Sequence, residues 1–252
     1  MHYPALVKAQ SLILAGDIVG AESALVALAD EEGDHALVLA LDQLPPKDLL
    51  AVIREYDTSK ESVLNLLVTP EQFSRAVVIE KQYKDLTHAH LRGMMNSVIF
   101  RDDNDPVAFL RAVGEREGGC DALADYLSDH WGRVESYLRT GSFEVSEDTG
   151  AVLSETELFS AMYHESKVNQ DEIADRDWME FTWLLRAECP DILIEVMVIL
   201  RARVKAFAAD SDAEAEDDEV HHNGGHAPFR ESHGEGEGSQ KRPVDPDEES
   251  AI

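Results

Sequence analysis

Histidines near the C-terminus are the first side chains in this sequence that could do chemistry. His221, His222, His226 and His233 could wrap a divalent metal ion, because neutral imidazole is a common metal ligand. The flanking residues are Gly, Pro, Ser and acids, which give the imidazoles no fixed geometry. A solvated tail with incidental histidines is the alternative interpretation, and on it we predict no metal site.

Four consecutive oxygen-bearing side chains, Asp102 to Asp105, resemble the start of a calcium-binding loop. The stretch lacks the obligatory glycine and the distal glutamate of an EF-hand, and Pro106 follows it directly. Aspartate is a preferred helix N-cap, and proline is favoured at the first helical position. We therefore predict that Asp105 caps a helix beginning at Pro106.

The remaining histidines and the cysteines do not form a recognisable catalytic pattern. His88 and His90 are two residues apart and fall on different faces of a helix, while His130 and His164 are isolated. The sequence has no phosphate loop, no G-x-S-x-G, no H-E-x-x-H and no paired C-x-x-C. We predict a non-enzymatic protein with no catalytic, cofactor-binding or metal-ligating residues. A site assembled between distant helices around His130 or His164 stays an alternative.

Two cysteines, Cys120 and Cys189, are too few to form a disulfide framework, so we predict buried free thiols. The aromatic cluster Trp178, Phe181 and Trp183 is typical of core packing. Trp178 and Trp183 diverge by more than a right angle on a helix, which leaves one of them a candidate for an exposed contact.

Acidic residues dominate the charge of the chain, which is −29 over 252 residues. Residues 210–252 carry a net charge of −11, and the rest of the chain carries −18. Such a surface repels nucleic-acid backbones and anionic membranes and favours basic protein surfaces or cations. Asp121, Asp125 and Asp129 form an acidic stripe at four-residue spacing. We predict that this stripe is solvated, with a basic partner or cations as its possible ligands.

A repeated helix start indicates the elements that must position these side chains. A proline is followed three residues later by a bulky apolar residue in the stretches 46–49, 70–73 and 106–109. Each stretch opens a run of helix-forming residues, so each predicts a helix with proline in its first turn. Thr69 and Gln72 add a predicted capping box. We predict an all-α array of short helices.

Three regions follow along the chain. Residues 1–113 form the predicted helical array, and residues 120–209 form a second helical part that we expect to pack on it. Residues 210–252 form a predicted disordered tail that is acidic and contains histidines. Within the second region we predict one long helix over residues 120–139. The second region also contains a predicted small β-hairpin or ordered loop over residues 143–153. A further predicted helix in this region is capped by Asp175. Whether the two helical parts share one core stays open.

The stretch from Ala36 to Val113 resembles the N-terminal intracellular superhelix of MgtE-type magnesium transporters. The likeness lies in residues 44–50 (LPPKDLL) and residues 69–73 (TPEQF). The resemblance implies a right-handed stack of short helices. No segment here matches the membrane domain or the regulatory modules of those transporters, so no ligand position is carried over and transport is not expected.

We predict a cytoplasmic helical-repeat interaction module, a scaffold or adaptor, that binds a protein partner with a basic surface. Neither nucleic-acid binding nor membrane insertion is expected, because the chain is acidic and its apolar runs are short. A divalent-cation-responsive regulator is the alternative function. Composition and pattern do not determine the oligomeric state.

Overall fold

The protein is a set of short α-helices, as a computed structural model shows. The structure describes residues 3–56, 62–83, 87–102, 104–145, 153–162, 173 and 177–222. The helices are α1 (Pro4–Leu14), α2 (Ile18–Glu32), α3 (Asp34–Gln43), α4 (Pro46–Glu55), α5 (Val63–Leu67), α6 (Pro70–Tyr83), α7 (His88–Ile99), α8 (Pro106–Gly114), α9 (Gly119–Leu127), α10 (Trp131–Thr140), α11 (Glu155–Met162), α12 (Trp178–Glu188) and α13 (Pro190–His222). These ranges contain no strand, so the predicted all-α class is confirmed.

Prolines mark where many of the helices begin. Five described helices have a proline as their first residue: Pro4, Pro46, Pro70, Pro106 and Pro190. The apolar residues three positions later in the repeated motif, Leu49, Phe73 and Phe109, are all buried. The motif therefore has two structural roles. Proline determines where the helix begins, and the apolar residue packs the first turn into the core.

Capping residues also mark where helices begin. Thr69 and Gln72 form the predicted capping box, in which the Thr69 hydroxyl accepts from the Gln72 N–H and Gln72 Oε1 accepts from the Thr69 N–H. Gln72 is buried and also donates to Asp42 Oδ1 of α3 at 2.8 Å, which ties α6 to α3. Ser154 and Glu157 form a second capping box at the start of α11.

A continuous hydrophobic core joins the two predicted helical parts. Phe73 of α6 meets Phe109 of α8 edge to face, with ring centroids 5.6 Å apart. Tyr126 of α9 stacks on Phe181 of α12 with centroids 4.0 Å apart. Because α8 packs against α6, α9 and α12, the buried side chains of both parts belong to one cluster.

The predicted long helix over residues 120–139 is wrong. A 3-10 turn, Ser128–His130, separates α9 from α10. The Ser128 hydroxyl donates to the Asp125 carbonyl oxygen at 2.9 Å, a local bond that competes with regular helix geometry. The predicted cap of α12 is also wrong: Asp177, rather than Asp175, accepts from the Met179 N–H at 2.8 Å.

Two compact units divide the chain, Met1–Phe207 and Ala208–Ile252. In the second unit the backbone of residues 208–222 is helical, so α13 continues past the predicted start of the tail at Asp210. Alanine and glutamate, which are strong helix formers, are frequent there. The rest of the predicted tail, residues 223–252, lies outside the described residues.

The segment after α10, residues 143–153, is where the sequence predicts a small β-hairpin or an ordered loop. Residues 143–145 adopt no strand, and residues 146–152 lie outside the described part of the chain. Phe143 is buried here and stacks on Tyr137 with centroids 4.3 Å apart, which holds the loop against α10.

Candidate binding groove

An open groove of about 620 Å³ runs between α6 and α8 and ends at the turn that connects α8 to α9. Pro70 and Ser74 line it on the α6 side, and Ala108 and Ala112 line it on the α8 side. Ala108 and Ala112 are one helical turn apart, so their small side chains leave room along the same face of α8. We name this feature the α6–α8 groove.

Five charged side chains also line the α6–α8 groove: Glu71, Arg111, Glu115, Arg116 and Glu117. The three glutamates are exposed and make no ion pair within the described part of the chain. Both arginines are held by the protein itself. Arg111 Nη2 donates to the Glu188 carbonyl oxygen at 3.2 Å, and Arg116 Nε donates to Ser74 Oγ at 2.9 Å.

These contacts define what the groove can do chemically. Its volume is within the range of ligand sites, but it is open to solvent along its length. It therefore suits a chain segment laid across the surface better than a small molecule enclosed in a cavity. Carboxylates accept hydrogen bonds from lysine and arginine, so the three glutamates favour a basic ligand.

The acidic stripe, Asp121, Asp125 and Asp129, is compensated by the protein's own cations. Arg203 of α13 pairs with Asp125 at 2.6 Å and with Asp121 at 3.3 Å. Arg92 of α7 pairs with Asp129 at 2.8 Å. The stripe therefore forms ion pairs between helices, while its side chains stay partly exposed to solvent, by 23–45%. The carboxylates of the groove are better placed to meet a partner.

His88 contacts a serine and an aspartate, yet the three do not form a catalytic triad. His88 Nδ1 lies 2.7 Å from Asp129 Oδ1 and 2.9 Å from Ser128 Oγ. A triad uses both ring nitrogens, one toward the acid and one toward the nucleophile. Here one nitrogen faces both groups, and the Ser128 hydroxyl donates to the Asp125 carbonyl oxygen. The hydrogen bond from His88, and then that from Arg92, holds the pKa of Asp129 below its usual range.

His130 stacks on Trp178, with ring centroids 4.2 Å apart and planes inclined by 9°. Arg133 lies over the same indole at 4.8 Å. Burial lowers the pKa of His130, and the nearby Arg92 lowers it further. His164, the other predicted alternative, lies outside the described residues.

Trp178 is buried and Trp183 is partly exposed, so Trp183 is the tryptophan that remains a candidate for an exposed contact with a partner.

The two cysteines are buried free thiols, as predicted. Burial, with the nearby Glu195, raises the pKa of Cys120 to about 12, and burial raises the pKa of Cys189. The thiolate is the nucleophilic form of cysteine. Both thiols therefore stay protonated at neutral pH and are poor nucleophiles.

Metal ligation and membrane insertion have no counterpart among the described residues. Within those ranges, no group of three or more His, Cys, Asp or Glu side chains could hold a metal ion. His90 Nδ1 lies 3.0 Å from the Thr87 hydroxyl, while His88 faces Asp129. None of the described helices has the length and apolar character needed to cross a membrane.

Sequence reasoning missed the groove and its charged residues. The repeated helix start predicted α6 and α8 separately, but their pairing depends on contacts between residues more than thirty positions apart. The one local indication was the spacing of Ala108, Arg111, Ala112 and Glu115, which places small and charged residues together along α8 and its C-cap.

Comparison with known proteins gave no relative: no protein-family model, curated protein or solved structure matches this chain. The resemblance to the MgtE-type N-terminal domain therefore stays a prediction.

Proposed function

We propose that this protein is a non-enzymatic interaction module that binds a basic segment of a partner protein in the α6–α8 groove. The observation that carries the proposal is the contrast between two acidic surfaces. The acidic stripe is compensated by Arg203 and Arg92, whereas Glu71, Glu115 and Glu117 line an open groove with no ion pair in the described chain.

The charge of the whole chain supports the same partner. A net charge of −29 raises the local concentration of basic ligands and speeds their encounter at low ionic strength. Specificity then has to come from a shaped site, because long-range attraction acts on any cation. The small residues Ala108 and Ala112 provide that shape, since they let a bound segment approach α8 closely.

Equilibrium binding of a fluorescent lysine-containing peptide, followed by anisotropy, tests the proposal. We expect the triple variant E71Q/E115Q/E117Q to bind about tenfold more weakly than the wild type. Each exposed ion pair contributes roughly 0.2–1 kcal/mol, and about 1.4 kcal/mol corresponds to a factor of ten. Raising the salt concentration should reduce the difference in affinity between the wild type and the triple variant, because salt screens exposed charges.

The matched control is the triple variant D30N/E31Q/E32Q. It removes the same number of charges from exposed positions at the end of α2, away from the groove lining. Retained binding in this variant, with loss in the groove variant, supports a specific site. Equal weakening in both variants would show that only net charge matters and would refute the groove as the binding site.

A further inference from the structure

The two arginines of the α6–α8 groove are preorganised by the protein. Arg111 donates one N–H to the Glu188 carbonyl oxygen, and Arg116 donates its Nε–H to Ser74 Oγ. Ser74 is fully buried and donates to the Glu71 carbonyl oxygen at 3.0 Å, so the acceptor of Arg116 is itself fixed. A guanidinium has five N–H donors, which leaves most of them available to a ligand.

Anchored guanidinium groups bind carboxylates at a reduced entropic cost, because their side chains are already ordered. Arg111 is exposed at the groove, four residues before Glu115, which is the C-cap residue of α8. A ligand segment lying along α8 therefore meets a positive group and then a negative group within one turn. A uniformly basic segment would be repelled by Arg111 and attracted by Glu115.

We propose that the partner segment carries alternating charge, with a basic residue facing the groove glutamates and an acidic residue facing Arg111. This inference rests on the proposed function and narrows the class of ligand. A nucleic-acid phosphate is the other source of negative charge that Arg111 could bind. The three neighbouring carboxylates and the net charge of −29 disfavour that ligand.

Three peptides of equal length test the inference with the full-length protein. The first alternates lysine and glutamate, the second has glutamine in place of each glutamate, and the third has glutamine in place of each lysine. We expect the alternating peptide to bind most tightly. The R111Q variant should bind the alternating peptide about fivefold more weakly and the lysine-only peptide more tightly than the wild type does.

The variant K205Q is the matched control, since it removes one exposed positive charge outside the groove. It should leave the preference for the alternating peptide unchanged. Circular dichroism of R111Q, with the wild-type spectrum expected, checks that losing the Glu188 contact does not unfold the chain. Rescue of alternating-peptide binding by R111K would support a charge role, whatever the stability of R111Q.

Several outcomes would overturn the inference. They can be distinguished from the results that would refute the proposed function. If the lysine-only peptide binds as tightly as the alternating peptide, the mixed-charge ligand is wrong but the basic-ligand groove stands. If neither peptide binds, both proposals fail. Binding of oligothymidylate that is lost in R111Q would replace the protein segment by a nucleic-acid ligand.

Discussion

Arg203 joins α13 to α9 through three polar contacts. Its Nη1 pairs with Asp125 at 2.6 Å, and its Nη2 reaches both the side chain and the carbonyl oxygen of Asp121. The Arg203 side chain is 37% exposed, so solvent screens these pairs. We expect Arg203→Gln to lower the free energy of unfolding by about 1 kcal/mol, which urea denaturation would measure.

Lys205→Gln is the control for Arg203, because it removes a neighbouring exposed charge on the same helix. The loss in Arg203→Gln should shrink at high ionic strength, where exposed ion pairs are screened. Equal destabilisation by the two substitutions would show that the charge of α13 matters rather than the contacts of Arg203 with α9.

The lowered pKa of Asp129 leads us to expect that the free energy of unfolding depends on pH, and it determines the direction of that dependence. The hydrogen bonds from His88 and Arg92 favour the ionised form in the folded chain. The resulting stabilisation is present above the ordinary aspartate pKa and is lost as the pH falls through the lower folded-state pKa. Asp129→Asn should therefore destabilise the chain more at about pH 6 than at about pH 3.

Urea midpoints of the wild type and Asp129→Asn at those two pH values provide the measurement. Asp30→Asn, which removes an exposed carboxylate at the end of α2, is the control. A difference between wild type and Asp129→Asn that stays constant with pH would contradict the assigned role of the ion pairs.

Among the secondary-structure elements, α8 and α9 approach each other closely where α9 begins at Gly119. A Cβ atom at Gly119 would lie 1.7 Å from the Val113 carbonyl oxygen, whereas one at Gly132 of α10 would meet nothing within 4 Å. We expect Gly119→Ala to destabilise the chain by about 3 kcal/mol, because backbone cannot move aside cheaply. Gly132→Ala should instead stabilise it by about 0.5 kcal/mol.

Thermal or urea unfolding of the two glycine variants measures these opposite effects. The turn holds Arg116 and Glu117 at the end of the α6–α8 groove, so Gly119→Ala should also weaken peptide binding at temperatures where it remains folded. A neutral effect of Gly119→Ala on stability would mean that the close approach of α8 and α9 is relaxed in solution.

Helix starts were predictable from sequence, because the residues that determine them are local. Pro70 and the Thr69–Gln72 capping box act within one turn of the helix that they begin. The break at Ser128–His130 was not predicted, since the apolar stripe of residues 120–139 continues across it. The side-chain bond that accompanies the break does not interrupt this stripe.

For the whole molecule, the single core of both helical parts predicts one cooperative unfolding transition. All three tryptophans, Trp131, Trp178 and Trp183, follow residue 120, so their fluorescence reports only on the second part. Circular dichroism reports on helices throughout the chain. The two urea transitions should superimpose, because the parts share one buried cluster. Unfolding at different urea concentrations would show two separate cores.

The surface of the molecule was the least predictable feature. Charge composition indicated a basic partner, but it did not show which acids are compensated internally. Asp125 and Arg203 are 78 residues apart, and only the fold brings them together. Likewise, Glu71 and Arg111 line the same groove only because α6 packs on α8.

Hydrogen–deuterium exchange of the full chain, with and without the alternating lysine–glutamate peptide, tests the central claim most directly. We predict slower exchange on peptide addition in residues 70–75 and 108–117, which contain the groove lining. Residues 121–129, which carry the internally paired acidic stripe, should exchange at the same rate in both states. Protection confined to residues 121–129, or to the exposed acids of α2, would contradict the assignment of the α6–α8 groove as the binding site.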